Sequence, residues 1–376
     1  MQEKNDMNKI VYMDAAASWQ KPQSLIESEA DFLTNHYANA GRGICERAER
    51  VDDLIANARN VVADFIGADS QNIVWTSGTT DSMNRIVNII KNTISNKCPV
   101  VVVSDLDHHS ARLPWEMCAM NGGCKTATMG LDKKLNIDVD NIPYGDIFVI
   151  TAMSNVLGVA QDIQKIIQSI KSKNPDAITI VDAAQFVVHS KIDVKKFDAD
   201  FLCFSGHKIG SDTGVGVMYI KNPDIWMPDK FGGGMVNRII DNENIVWNKS
   251  PEKFEAGTLP LTQIIGLPYA IEYLTNWDGG HDLIYFMYDE LSKLSKIKIF
   301  TSCESNMISF TVDGMHVLDF GALVASHNIC IRVGNMCASW IHKRLNISGS
   351  VRISVGPWNT MKDAQYVVEV IKNLVK

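Results

Sequence analysis

The segment "DADFLCFSGHKIG" (198–210) carries Lys208 at the exit of an apolar run, with Ser205 and His207 beside it. A lysine drawn out of water is costly unless it is paired, neutral or covalently engaged, so Lys208 demands a partner. The preceding β-like run, "AITIVDAAQ", ends in Asp182 and Gln185, one crossover away from Lys208. Read on their own, the acid and the lysine fit a salt bridge as well as a reactive pair. In "NIVWTSGTTDSMNRIVNII" a β-like run and a Gly/Ser/Thr turn lead into Met83, Ile86, Val87 and Ile90 at helical spacing. The N–H groups and dipole of that helix start, with the hydroxyls of Thr79 and Thr80, suit an anion such as a phosphate. An ordinary capped helix fits the same stretch taken alone. Arg352, in "SVRISVGPW", offers a planar fork that matches a carboxylate, or a structural ion pair. The eight cysteines show no CxxC or Cys/His ligand spacing, so neither a metal site nor a disulfide framework is expected.

The elements that must position these residues alternate. Short β-rich runs, among them "NIVWTS", "CPVVVVS", "DIFVITAMS", "AITIVDAAQ", "ADFLCFS" and "GVGVMYI", are separated by helical patterns. Such alternation predicts a mostly parallel central sheet with helices on both faces. Most runs end in small or polar residues, and open α/β sheets bind ligands at the carboxyl ends of their strands. After "FGGGMV" and "KFEAGTLP" the texture changes to that of a smaller α+β domain. The expected division is a large domain over 20–265 and a small one made of 1–19 and 266–376, which carries Cys337. Asn359 or Thr360 is placed to cap a closing helix whose apolar stripe is Tyr366, Val367, Val370, Ile371 and Leu374.

A chain of 376 residues with 46% hydrophobic content can fill a sizeable core. Its formal charge of −7, with no basic stripe, argues against nucleic acid as a partner. A polar beginning and no apolar run near bilayer length argue against a membrane and lead to a cytoplasmic expectation.

One cofactor would use every cluster. Pyridoxal phosphate needs a lysine for an imine, an acid for its ring nitrogen, a phosphate cradle and a flat group on the ring face. The chain further resembles the class V aminotransferase family of pyridoxal phosphate enzymes of fold type I, and within it the cysteine desulfurases and selenocysteine lyases. The segments that carry the resemblance run in order from "YMDAAASWQKP" through "YANAGRGI", "TSGTTDSMN", "DHHSARLPW", "SNVLG", "VDAAQ", "SGHK", "FEAGT" and "RVGNMCA" to "VRISVGPWNT". Gly41 and Asn335-Met336 stand where relatives often carry histidine.

The resemblance implies the fold-type I α/β architecture with a smaller C-terminal α+β domain. It implies that Lys208 carries pyridoxal 5'-phosphate as a Schiff base and serves afterwards as the base at the substrate. Asp182 would pair with the ring nitrogen, Gln185 with the phenolic oxygen, and His108 would stack on the ring with Asn155 nearby. Thr79, Thr80, Ser205 and His207 would hold the phosphate, and Thr258 would reach the phosphate of a partner subunit in a homodimer. Arg352 would take the α-carboxylate, with Arg42 a further residue beside the substrate. Cys337 would accept sulfur from L-cysteine as a persulfide for delivery to an acceptor protein, as in iron-sulfur cluster assembly. Alternatives within the family are a selenocysteine lyase, C–S lyase or aminotransferase in which Cys337 is incidental. A noncatalytic binding protein that keeps the fold is a third.

Overall fold

The computed structural model describes residues 10–41, 43–94, 98–241 and 244–376, so Arg42 lies outside the described residues. The chain divides into two compact units. One contains Lys21–Ala152 and Ala160–Thr275; the other takes in the N-terminal segment through Gln20, Met153–Val159 and Asn276–Lys376.

The first unit is organised on a seven-stranded sheet of β1 (Ile73–Thr76), β2 (Val100–Ser104), β3 (Lys125–Met129), β4 (Ile147–Thr151), β5 (Ile178–Asp182), β6 (Phe201–Ser205) and β7 (Gly216–Ile220). Their spatial order is β1-β7-β6-β5-β4-β2-β3. The pairs among β2 to β6 are parallel, whereas β7 runs antiparallel to both β1 and β6. Every residue of β1, β4, β6 and β7 is buried. Successive strand side chains point to opposite faces, so both faces of the sheet are covered, as the unbroken apolar runs predict. The helix Thr79–Thr93 buries Met83, Ile86, Val87 and Ile90, the face read from its spacing.

Parallel pairing delivers the ends of β2, β4, β5 and β6 to one edge. Thr151 is in register with Asp182, and Asp182 with Cys203. At the antiparallel side, Thr76 faces Gly216, which in turn faces Ser205.

The second unit holds an antiparallel sheet of β8 (Ile297–Ile299), β9 (Met307–Val312), β10 (Arg332–Gly334) and β11 (Ser350–Ser354), in the order β8-β9-β11-β10. Met13, Phe310, Phe320, Ile353, Val367 and Ile371 lie in its core. The segment Met153–Val159 belongs here because Ser309 Oγ donates to the Val156 carbonyl (2.5 Å) and Ser305 Oγ to that of Leu157 (3.0 Å). The sequence expectation kept this segment with the larger part and ended that part at 265; the helix Leu261–Thr275 instead stays whole with the first unit.

The closing helix, Met361–Leu374, starts with a reciprocal capping box between Thr360 and Asp363, worth about 1 kcal/mol. Val367, Val370 and Ile371 are buried, joined by Val368. Tyr366, expected in the apolar stripe, is 40% exposed, and its hydroxyl donates to the His327 carbonyl at 3.1 Å. The polar tip of a phenol is better served at the surface.

Candidate functional site

In the first unit, Lys208 occupies a short 3₁₀ turn, Gly206–Lys208, directly after β6. Asp182, the last residue of β5, is 4% exposed, and its Oδ1 accepts from the Ala184 amide at 3.0 Å. Burial raises the Asp182 carboxyl above its ordinary range, and the charge of Lys208 opposes that rise. Gln185, also buried, stands immediately before the short helix Phe186–His189.

A second carboxylate lies at the same edge. Asp107 is fully buried, accepting from the Ser104 amide and from the Thr151 hydroxyl, both at 2.7 Å. Burial pushes its carboxyl up to about 7, against those two hydrogen bonds and the charge of Arg112, and with the Asp182 charge adding to the rise.

The turn before the helix Thr79–Thr93 depends on glycine at two places. Gly78 has φ +143°, outside the range side chains favour. A Cβ on Gly216 would stand 2.5 Å from Gly78 Cα, so only a glycine at 216 lets the turn settle onto β7. Settled there, Thr79 donates its amide to Ser205 Oγ and shares its hydroxyl with the same atom, each at 2.8 Å. Thr80 Oγ1 meets Ser110 Oγ at 2.6 Å, and Ser110 Oγ lies 3.0 Å from His108 Nδ1. The Ser110 amide also donates to Nδ1 at 3.2 Å, so Nδ1 is an acceptor and the proton of a neutral His108 sits on Nε2. Burial, and then the charges of Lys208 and Lys21, push His207 down to about 4, leaving it neutral at pH 7.

This set fits pyridoxal phosphate. A buried carboxylate held by one backbone donor suits a protonated ring nitrogen, and the Gly78 turn with its hydroxyls forms a cradle whose seat on β7 a Cβ at 216 would block. Among the described residues no group of three or more His, Cys, Asp or Glu is arranged to hold a metal. Thr258 is exposed and lines a cavity of about 660 Å³ together with Asn39, Gly41, Arg59 and Asn248.

In the second unit, Arg352 sits in the middle of β11 and is 2% exposed. Its Nη2 donates to Asp14 Oδ1 at 3.0 Å and its Nη1 to the Asn155 carbonyl at 2.8 Å. Asp14 also receives Arg332 Nη2 at 2.7 Å. Burial lowers the pKa of Arg352, and Asp14 opposes that shift. Arg352 Nε is buried without a hydrogen-bond partner among the described residues, as is Asn155 Oδ1. The Asn155 amide reaches the other way, donating Nδ2 to the Met336 carbonyl at 2.9 Å.

Met336 and Cys337 are both left-handed, with φ +50° and +53°, in a turn closed by the Ala338 amide on the Asn335 carbonyl at 2.8 Å. Side-chain-bearing residues cost about 1–2 kcal/mol each in that conformation. The turn leaves Cys337 exposed.

The structure therefore associates Asp182 with Lys208, Thr79 with Ser205, Thr80 with His108 through Ser110, and Asn155 with Arg352. Asp107, Thr151, Ser110 and Asp14 were not singled out from the sequence. Asp107 and Ser110 flank His108 in "DHHS", and Asp14 lies in "YMDAAAS", but residue type alone does not reveal a partner hundreds of positions away.

The family model for aminotransferase class-V matches residues 11–367. A probable cysteine desulfurase of Vibrio cholerae is 31% identical, the match covering 98% of this chain and 94% of that protein. The cysteine desulfurase CsdA of Escherichia coli is also 31% identical, over 96% of this chain and 93% of its own. Among solved structures, an apo cysteine desulfurase from Thermococcus onnurineus superposes with a TM-score of 0.91 at 30% identity, covering 98% of this chain and 95% of that one. The Escherichia coli CsdA structure in its S-sulfonic acid form gives 0.87 at 31% identity, over 97% and 94%.

Proposed function

The chain belongs to the class-V aminotransferase family, and on that premise we propose that it is a pyridoxal phosphate-dependent cysteine desulfurase. It converts L-cysteine to L-alanine and takes the sulfur onto Cys337 as a persulfide for delivery to an acceptor. The observation that carries this reading is the run of hydrogen bonds from Arg352 through Asn155 to Met336. It ties a buried guanidinium suited to an amino acid's carboxylate to the turn that presents a thiol.

When bound, pyridoxal phosphate supplies an electron sink for the electrons released at the substrate Cα. Lys208 would hold it covalently, and its free amine would take the substrate's Cα proton on Nζ. Asp182 would keep a proton on the ring nitrogen, and Gln185 would bond the phenolic oxygen. Thr79, Thr80, Ser205 and His207 would hold the phosphate, and His108, its Nδ1 fixed as an acceptor, would cover the ring. Arg352 has five N–H donors, of which two are spent on Asp14 and Asn155; the others remain for the substrate carboxylate. This reading also assigns Arg42, which lies outside the described residues, to the substrate.

Cys337 reacts as the thiolate. A bond forms between its Sγ and the substrate sulfur while the substrate Cβ–S bond breaks. The electron pair of the broken bond stays with the three-carbon fragment, which is protonated and leaves as L-alanine. Thr258 would serve the phosphate of a partner subunit in a homodimer. No helix among the described residues is long and apolar enough to cross a membrane.

Brief incubation of the cofactor-loaded protein with L-cysteine, followed by peptide mass mapping, tests this. One added sulfur atom on Cys337, absent from Cys337→Ala, is the expected result. Alanine formation undiminished in Cys337→Ala would overturn it in favour of a family reaction that does not use the thiol.

A further inference from the structure

Two consecutive left-handed residues with side chains persist in the Cys337 turn only if their surroundings hold them. Asn155 holds the Met336 carbonyl. The Ala338 carbonyl, directly after the cysteine, is held by His342: Nδ1 lies 2.9 Å from it, and Nε2 lies 3.0 Å from Ser350 Oγ. A carbonyl oxygen only accepts, so Nδ1 carries the proton and Nε2 accepts from the Ser350 hydroxyl. His342 is 2% exposed, and burial lowers its pKa, which keeps the ring neutral and favours this tautomer. Ser350 opens β11, two residues before Arg352. Both sides of the turn are thus referred to the strand that carries the guanidinium, one through the Asn155 carbonyl and one through His342.

We propose that His342 is a positioning residue for sulfur transfer: its Nδ1–H fixes the carbonyl after Cys337, and its Nε2 registers the thiol turn against β11. It touches neither substrate nor cofactor. The inference rests on the desulfurase reading for its functional consequence, while its structural content is independent of that reading.

The two ring nitrogens suggest the test. An asparagine at 342 reproduces the donor at the Nδ1 position, whereas a glutamine reproduces the Nε2 position. Hydrogen exchange of the Ala338 amide, read with and without cofactor, should quicken about tenfold in His342→Ala and His342→Gln and stay near wild type in His342→Asn. In the loaded enzyme, kcat for persulfide formation should fall about tenfold in the first two and recover in the third, with KM for cysteine unchanged. Ser350→Ala removes only the far partner and gives a smaller change of the same sign, which covers the case in which His342→Ala does not fold.

Wild-type exchange at Ala338 in all the folded variants would overturn the proposal. Faster exchange with undiminished kcat would overturn the functional half. A wild-type protein that forms no persulfide would instead sink the desulfurase reading, and the exchange data would still report on the turn.

Discussion

The edge of the seven-stranded sheet that carries Lys208 and the turn that carries Cys337 are built on opposite principles. At the sheet edge, functional groups ride on the ends of buried strands whose register is set by backbone pairing, so Thr151 and Asp182 are aligned before any side chain is considered. The thiol turn has no such frame. It is held in an unfavourable conformation by hydrogen bonds from Asn155 and His342. A group that must hold a cofactor for many turnovers gains from a rigid frame. In the proposed reading, a sulfur that receives cargo and hands it on gains from exposure, and the turn leaves Cys337 exposed.

The largest effect expected from breaking this contrast is at Lys208. Lys208→Ala should lower turnover by roughly 10³-fold or more and abolish any borohydride-reducible adduct with pyridoxal phosphate. Cys337→Ala should keep that adduct while losing the persulfide. An adduct trapped at another lysine would overturn the assignment of the sheet edge.

Gly216→Ala comes next. Its Cβ would meet the backbone of Gly78, which cannot give way as a flexible side chain would. Loss of several kcal/mol of stability, of order 3 kcal/mol, and weakened retention of the cofactor phosphate are expected, read by thermal melting and equilibrium dialysis. The thiol turn should tolerate its own glycine far better.

Asp14→Asn removes the carboxylate shared by Arg352 and Arg332. Breaking a buried pair costs about 3–5 kcal/mol, and a less firmly held guanidinium should raise KM for cysteine more than it lowers kcat. An unchanged KM would show that Arg352 is positioned without Asp14.

Asp107 gives a pH signature specific to the sheet edge. Its folded pKa, about 7, lies above the unfolded value near 4. Protonated Asp107 therefore favours the folded state, and this contribution, complete below pH about 4, is lost as pH rises through about 7. The melting temperature of wild type minus that of Asp107→Asn should fall across this interval; a flat difference would show that burial there is relieved by other groups.

The smallest effect is expected at the turn. Met336→Gly relieves a left-handed side chain but loosens the unfolded chain, so stability should change by no more than about 1 kcal/mol, in the stabilising direction. A loss of more than that would mean the Met336 side chain does more than its backbone position requires.

Much of the sheet edge was legible in advance. Continuous apolar runs ending in Asp182, Ser205 and Lys208 mark buried parallel strands, and the strand-turn-helix pattern at Thr79 marks where the helix Thr79–Thr93 begins, because both signals are local. Cys337 was singled out through the resemblance of its surrounding motif, and Arg352 through that and the planar shape of its guanidinium. Tyr366 was misread because helical spacing identifies a face without weighing the needs of a hydroxyl. Asp14 and His342 were passed over: an acid near the beginning of the chain and a histidine on a short helix have no partners until the chain folds.

The order of residues alone determined where strands end, which helices are amphipathic and which residue types stand at those ends, since these follow from periodicity and backbone preference over short stretches. Only the tertiary structure decided that Asp14 meets Arg352 across 338 positions, that Gly216 admits Gly78, and that the Cys337 turn is left-handed. Those outcomes depend on which distant backbones come into register, and pairing energies of that kind are properties of the whole packed chain.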